Sequence, residues 1–188
     1  CFDAQGGPYA ARAWWMLRWM GHADVAVLDG GLAAWREAGG EMKADATTPR
    51  AAPPYPLCPP AMATIDADAL AAQLGRVRVV DARAGERFRG EVEPLDAAAG
   101  HIPGARNRFF KDNLGPDGRF KRPEALRAEW LPLLAGQPAE TLVQQCGSGV
   151  TACHNLLALA HAGLGDSVLY PGSWSEWSAD PSRPQARG

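Results

Sequence analysis

From residue 65 onward, short runs rich in Val and Leu alternate with stretches of helix-forming residues, and this alternation limits the fold more than any other feature. The pattern predicts a helix over 66–74, a strand over 77–80 with Asp81 at its carboxyl end, and a short extended piece around Asn107. A polar, glycine-containing region fills the gap through Gly104. A helix with Pro123 in its first turn then runs toward Leu134. A second strand over 141–145, a helix over 150–162 and a third strand over 167–170 follow, with Trp174 to Trp177 in a closing turn. Such alternation implies an α/β fold, a parallel sheet flanked by helices on both faces. Ligands of such sheets gather beyond the carboxyl ends of the strands, where Asp81 and Cys146 both fall.

The front of the chain is organised differently. Cys1 to Ala4 reads as a strand end entering the turn Gln5-Gly6-Gly7-Pro8, followed by a helix over 9–20 that carries Trp14, Trp15, Leu17 and Trp19 on several faces. A helix apolar on all sides must be buried. Gly21 and His22 stop it, Val25 to Leu28 reads as a strand, Asp29-Gly30-Gly31 as a turn, and Leu32 to Ala38 as a short helix. These few elements cannot cover one another, so residues 1–44 are expected to be the C-terminal part of a larger unit. Residues 45–63 hold Pro49, Pro53, Pro54, Pro56, Pro59 and Pro60, six of the sixteen prolines, which predicts a stiff interdomain linker over 45–64. The remaining unit is 65–188.

Composition narrows the function. A chain of 188 residues that is 46% hydrophobic packs a globular core. It has no run of the roughly 18–20 apolar residues that cross a bilayer, and no signal peptide is expected at its start. With 19 basic and 21 acidic side chains, the net charge of −2 offers no field for a polyanion, so neither nucleic acid nor a membrane is an expected partner. The cysteines at 1, 58, 146 and 153 lack zinc-site spacing and are too few for a disulfide framework. Reduced thiols, a cytoplasmic location, and neither metal nor organic cofactor are the expectations.

The segment that carries chemistry is Gln145-Cys-Gly-Ser-Gly-Val-Thr-Ala152. A cysteine leaves a strand, Gly147 and Gly149 permit a tight loop, and a helix begins near Val150 or Thr151. Successive N–H groups in such a loop face one centre, and the helix adds its positive end. The ring stabilises a thiolate, a persulfide or an oxyanion. A phosphatase loop of related design needs an arginine six residues after the nucleophile to clamp phosphate. Ala152 stands there, so phosphatase or arsenate-reducing chemistry is disfavoured.

This loop resembles the active-site loop of the mercaptopyruvate branch of the rhodanese family. Further similar segments are Val80-Asp-Ala-Arg83, Arg87-Phe88, Gly100-His-Ile-Pro-Gly-Ala105 and Gly172-Ser-Trp-Ser-Glu-Trp177. Ala11-Arg-Ala-Trp-Trp15 and Leu28-Asp-Gly-Gly-Leu-Ala-Ala-Trp35 are similar to the non-catalytic unit of two-domain members. The resemblance implies a rhodanese-like domain preceded by part of a second, silent one, with Asp3 where an active unit would carry its cysteine. It implies a sulfurtransferase in which Cys146 takes sulfur from 3-mercaptopyruvate or thiosulfate as a persulfide and yields it to a thiol, a thioredoxin-like protein or cyanide. It assigns Ser148 to proton transfer, Arg87 to the donor's anionic group, and the amides of Gly147, Gly149, Val150 and Thr151 to binding. Arg83 is expected to pair with a nearby carboxylate.

Two departures bear on the donor. Leu95 follows Glu93-Pro94 where the mercaptopyruvate enzymes usually carry a second substrate arginine, and Gly147-Ser148 replaces the basic pair of the thiosulfate branch. These pull in opposite directions; Arg89, Arg106 and Arg108 could supply further charge but are expected to be solvated surface side chains. The family also places an Asp and a His near the donor from a front segment with no counterpart in this sequence. The alternative function is a relay or sensing module that carries a persulfide with little small-molecule turnover. His22, His101, His154 and His161 are expected to be structural, Cys153 a buried spectator, and Trp174 and Trp177 either pocket wall or core.

Overall fold

Neighbouring residues of a strand face opposite sides of its sheet, and in this chain both sides are apolar. The computed structural model describes residues 1–45, 48, 50–56 and 58–188, so Pro49 of the proline-rich stretch lies outside the described residues. Four parallel strands, β1 (Arg78–Asp81), β2 (Arg106–Asn107), β3 (Leu142–Gln145) and β4 (Val168–Leu169), lie in the order β2-β1-β3-β4. The helices are α1 (Pro8–Trp19), α2 (Gly31–Glu37), α3 (Ala67–Ala72), α4 (Gly85–Arg89), α5 (Pro123–Leu134), α6 (Val150–His161) and α7 (Ser173–Ala179). Val80 and Leu142 pack with Leu126 and Trp130 of α5 and Leu159 of α6. On the other face Val79 and Val143 meet Leu70 of α3 and Trp174 and Trp177 of α7.

Local chemistry starts the helices where the sequence places them. Asp66 caps α3 by accepting the Ala69 N–H at 2.8 Å. Pro123 occupies the first turn of α5, where its missing N–H costs nothing. Helix α1 buries Ala11, Trp14 and Trp15 in one cluster with Ala152, Cys153 and Leu156 of α6, so the front of the chain shares a core with the sheet unit. Residues 61–64 are tied down as well. The Ala61 N–H donates to Trp19, Met62 enters that cluster, and Thr64 bridges Leu169 as a short parallel extension of the sheet.

Three local expectations need correction. Val25 to Leu28 is not a strand, because among the described residues its only ladder partner is Cys1: the N-terminal ammonium donates to Ala26 at 2.7 Å and Leu28 donates to Cys1 at 2.8 Å. Trp174 to Trp177 lie inside α7 rather than in a turn, since residues three apart on a helix share a face and both indoles are fully buried. The polar region after β1 contains α4, five residues that carry Arg87 and Phe88.

Candidate active site

Gln145 ends β3 opposite Asp81 of β1, and Cys146 is the first residue beyond the ladder. The start of α7 holds it from one side. The Cys146 N–H donates to Ser173 Oγ at 3.1 Å, the Cys146 carbonyl accepts from Trp174 N at 3.0 Å, and the Gly147 carbonyl accepts from Ser175 N at 2.9 Å. Gly149 has φ +75°, and a Cβ there would lie 2.4 Å from the Pro171 carbonyl oxygen, so only glycine fits. From the other side, Arg12 Nη1 of α1 donates to the Gly149 carbonyl at 3.3 Å and the Cys153 thiol donates to it at 3.4 Å.

Because the N–H and C=O of a peptide point in opposite directions, carbonyls engaged by these partners turn the amides the other way. The N–H groups of Gly147, Ser148, Gly149, Val150 and Thr151 find no acceptor among the described residues. Those of Val150 and Thr151 open α6, whose first turn has no internal partners and a positive end. A turn at the front of the chain, with Gly7 before α1 as Gly149 stands before α6, differs in one respect. There the Asp3 carboxylate accepts from Gln5, Gly7, Tyr9 and Ala10 N–H groups at 2.8–2.9 Å. Burial alone would raise the Asp3 carboxyl, but these four donors hold it below the usual carboxylate range. That turn supplies its own anion, whereas the Cys146 loop has its amides free.

A cavity of about 270 Å³ adjoins the loop, lined by Cys146, Gly147, Ser148, Val150 and Thr151, by Arg87 and Asp96, and by the apolar Leu95, Phe109 and Phe110. Cys146 is only 2% exposed and packs against Ala82, Ala152 and Cys153 on one side, with the cavity on the other. Ser148 is exposed at the mouth. Cys146, Gly147, Ser148, Val150, Thr151 and Arg87 therefore converge on one space, whereas Gly149 does not line it and is buried against the Pro171 carbonyl.

Charge beside the loop is paired. Buried Arg83 binds Asp81 at 2.7 Å, Glu93 at 3.2 Å and the Gly100 carbonyl at 2.6 Å, and lies over the Trp174 ring, as its expected pairing role requires. Arg87 binds Glu93 at 2.6 Å and Asp96 at 2.8 Å. Although burial pushes Glu93 up, Arg87 and the Leu95 and Asp96 N–H groups hold it below the usual carboxylate range. Glu93 and Asp96 were missed in the sequence; the signal available was a Glu-Pro-x-Asp stretch shortly after Arg87.

The other candidates lie outside this space. Arg89 pairs with Glu91 and Arg108 with Glu129, while Arg106 is exposed on β2. His101 stacks on Phe88 and bonds its carbonyl at 2.8 Å, and His154 bridges Asn113 and the Gly6 carbonyl. Burial pushes the Cys153 thiol up to about 12, so it stays protonated. Trp174 and Trp177 belong to the core, Trp174 also donating to the Ala98 carbonyl at 2.8 Å. Among the described residues no group of three or more His, Cys, Asp or Glu is placed to hold a metal ion, and no helix is long and apolar enough to cross a membrane.

Comparison with known proteins agrees with this geometry. The chain is 53% identical over 190 residues to a Pseudomonas aeruginosa protein named "Probable 3-mercaptopyruvate sulfurtransferase", covering all of this chain and 66% of the relative. It is 40% identical over 181 residues to the human 3-mercaptopyruvate sulfurtransferase, covering 94% of this chain and 61% of that protein. The solved 3-mercaptopyruvate sulfurtransferase from Leishmania major superposes with a TM-score of 0.81 at 35% identity, over 95% of this chain and 50% of its own. The chain thus spans about two thirds or less of these relatives. Residues 66–180 match the rhodanese-like domain family, and the protein belongs to that family.

Proposed function

We propose that the chain is the sulfur-transferring part of a rhodanese-type sulfurtransferase, with Cys146 as the sulfur carrier. The observation that carries this reading is the loop of free amides around a cysteine lining an open cavity, beside an Asp3 turn in which a carboxylate consumes the same kind of donors. In this reading residues 1–44 are the remainder of a silent unit, 45–64 the linker and 65–188 the catalytic unit.

The chemistry follows from the site. The Cys146 thiolate attacks the outer sulfur of the donor, forming an S–S bond as the donor's bond to that sulfur breaks. From thiosulfate the leaving group is sulfite. From 3-mercaptopyruvate it is the enolate of pyruvate, which takes up the proton that the donor thiol releases. Ser148, exposed at the cavity mouth, passes that proton. Arg87 orients the donor's anionic group through its free Nη1 edge, and the amides of Gly147 to Thr151 stabilise the persulfide anion. Cyanide or a thiol, including that of a thioredoxin-like protein, then removes the outer sulfur as thiocyanate or a new persulfide and regenerates the thiolate. Four free thiols suit a reducing, cytoplasmic setting.

The test is sulfur transfer to cyanide from each donor by the unaltered chain, Cys146→Ser and Arg87→Ala. The serine variant is expected to lose all transfer. The alanine variant is expected to raise KM roughly tenfold or more, the scale of a lost charge-assisted contact. Transfer surviving in Cys146→Ser contradicts the reading.

A further inference from the structure

The guanidinium that faces the sulfur carrier is already occupied on most of its edge. Arg87 Nε and Nη2 are directed at Glu93, at 3.4 and 2.6 Å, and Nη2 also donates to Asp96 at 2.8 Å. Nη1 makes no hydrogen bond among the described residues, and a methyl group built on Gly147 would lie 3.6 Å from it. The open edge of Arg87 therefore faces the loop after Cys146. Asp96 Oδ2 lies 3.9 Å from the same point, and its other oxygen accepts the Ser175 hydroxyl. Ser175 in turn holds the Gly147 carbonyl through its N–H. This carboxylate is thus a fixed part of the cavity wall, fastened from two sides.

Two guanidinium groups, Arg83 and Arg87, share three carboxylates, Asp81, Glu93 and Asp96, so the cluster carries one net negative charge. Leu95, 78% exposed, adds no cation at the rim. An anion entering here meets one open guanidinium edge and the loop amides, with a carboxylate beside them. A singly charged group is matched by that edge. A second charge on the same small molecule finds Arg83, the other arginine lining the cavity, already bound to Asp81 and Glu93, and faces Asp96 in partly desolvated surroundings, where like charges repel strongly.

We propose that Asp96 is a specificity-determining residue that sets the charge class of the sulfur donor, favouring a monoanion over a dianion. The assignment rests on the sulfur-transfer reading above. It is tested by the ratio of kcat/KM for thiosulfate, a dianion, to that for 3-mercaptopyruvate, a carboxylate monoanion, in the unaltered chain, Asp96→Asn and Asp96→Glu. Asparagine keeps the side-chain size and one acceptor, Oδ1 for Arg87, with its amide N–H turned to the Ser175 hydroxyl oxygen, while removing the charge; glutamate keeps the charge. The ratio is expected to rise roughly tenfold or more in Asp96→Asn and to stay near its original value in Asp96→Glu. A second readout needs no turnover: sulfate, a dianion, is expected to protect Cys146 from alkylation better in Asp96→Asn than in the unaltered chain, with pyruvate protection changing less. Equal changes for both donors, or an unchanged ratio with Cys146 still loaded by a donor, overturn the role of Asp96 alone. Failure of every donor to load Cys146 in the unaltered chain overturns the sulfur-transfer reading and this assignment with it.

Discussion

The Arg12 guanidinium reaches from α1 to the carbonyl of Gly149, 137 residues later in the chain, at 3.3 Å. That carbonyl belongs to the glycine at which the Cys146 loop becomes α6. Arg12 also lies over the Trp15 ring at 5.3 Å and donates to Cys153 Sγ at 3.7 Å. A side chain of the front segment therefore helps set which way the loop's peptide groups point.

Arg12→Ala is expected to cost about 2 kcal/mol of stability, the scale of a hydrogen bond from a charged donor plus a lost cation–π contact. It is also expected to lower sulfur transfer roughly tenfold, with kcat falling more than KM rises, because the loop loosens while Arg87 stays in place. Arg12→Lys restores part of the rate. Denaturant melts and steady-state rates check this, and an alanine variant as active as its parent would remove Arg12 from the account.

Gly149→Ala separates steric fit from backbone preference. Gly149 and Gly163 both adopt positive φ, +75° and +65°, but a Cβ on Gly149 meets the Pro171 carbonyl at 2.4 Å while one on Gly163 meets nothing within 4 Å. Gly163→Ala is expected to cost about 1 kcal/mol from backbone strain alone. Gly149→Ala should cost visibly more and abolish sulfur loading of Cys146. Equal destabilisation of the two variants, measured by thermal melts, would contradict the close approach.

Asp3→Ala removes an acceptor from four backbone N–H groups. The expected loss is about 2–3 kcal/mol, and because the folded-state carboxyl lies below its ordinary range, Asp3's contribution is present above the unfolded value and fades as pH falls through the folded one. Cys146 in the folded variant should still accept sulfur. Mass analysis of the loaded protein checks the second point.

His154 predicts acid sensitivity of the packing between α6 and the front turn. Burial pushes its imidazole down to about 4. Gly6 offers only a carbonyl, at 3.0 Å, so Nε2 carries the proton and Nδ1 accepts from Asn113 Nδ2 at 3.2 Å. The unfolded chain protonates this histidine near 6.5, the folded chain only near 4, so the unfolded state binds more protons between those values. Stability is therefore expected to fall by about 3 kcal/mol as pH drops from above 6.5 to 4. His154→Gln should start less stable at pH 8 and show a flatter decline across that window in urea melts.

Legibility in the sequence followed from how local each feature is. The helix opened by Pro123 and the Cys146 loop were readable because their determinants are consecutive: a proline at a first turn, or a cysteine, two glycines and a helix start within a few residues. Val25 to Leu28 was misread because an apolar run makes a strand only when a partner ladder exists, and among the described residues only Cys1 pairs with it. Helix α4 was missed because five mostly polar residues carry no period. The pairing of Arg87 with Asp96 and the reach of Arg12 to Gly149 depend on tertiary approach, one across a loop and one across the molecule, so no spacing rule exposes them.

The central claim is that Cys146 carries transferable sulfur. Intact-protein mass spectrometry after brief exposure to 3-mercaptopyruvate or thiosulfate, followed by cyanide, tests it in one experiment. The account predicts a single added sulfur atom that maps to Cys146, vanishes on cyanide addition with thiocyanate released, and is absent from Cys146→Ser. Sulfur retained on Cys1, Cys58 or Cys153 in that variant, with Cys146 never modified in the parent, would contradict it.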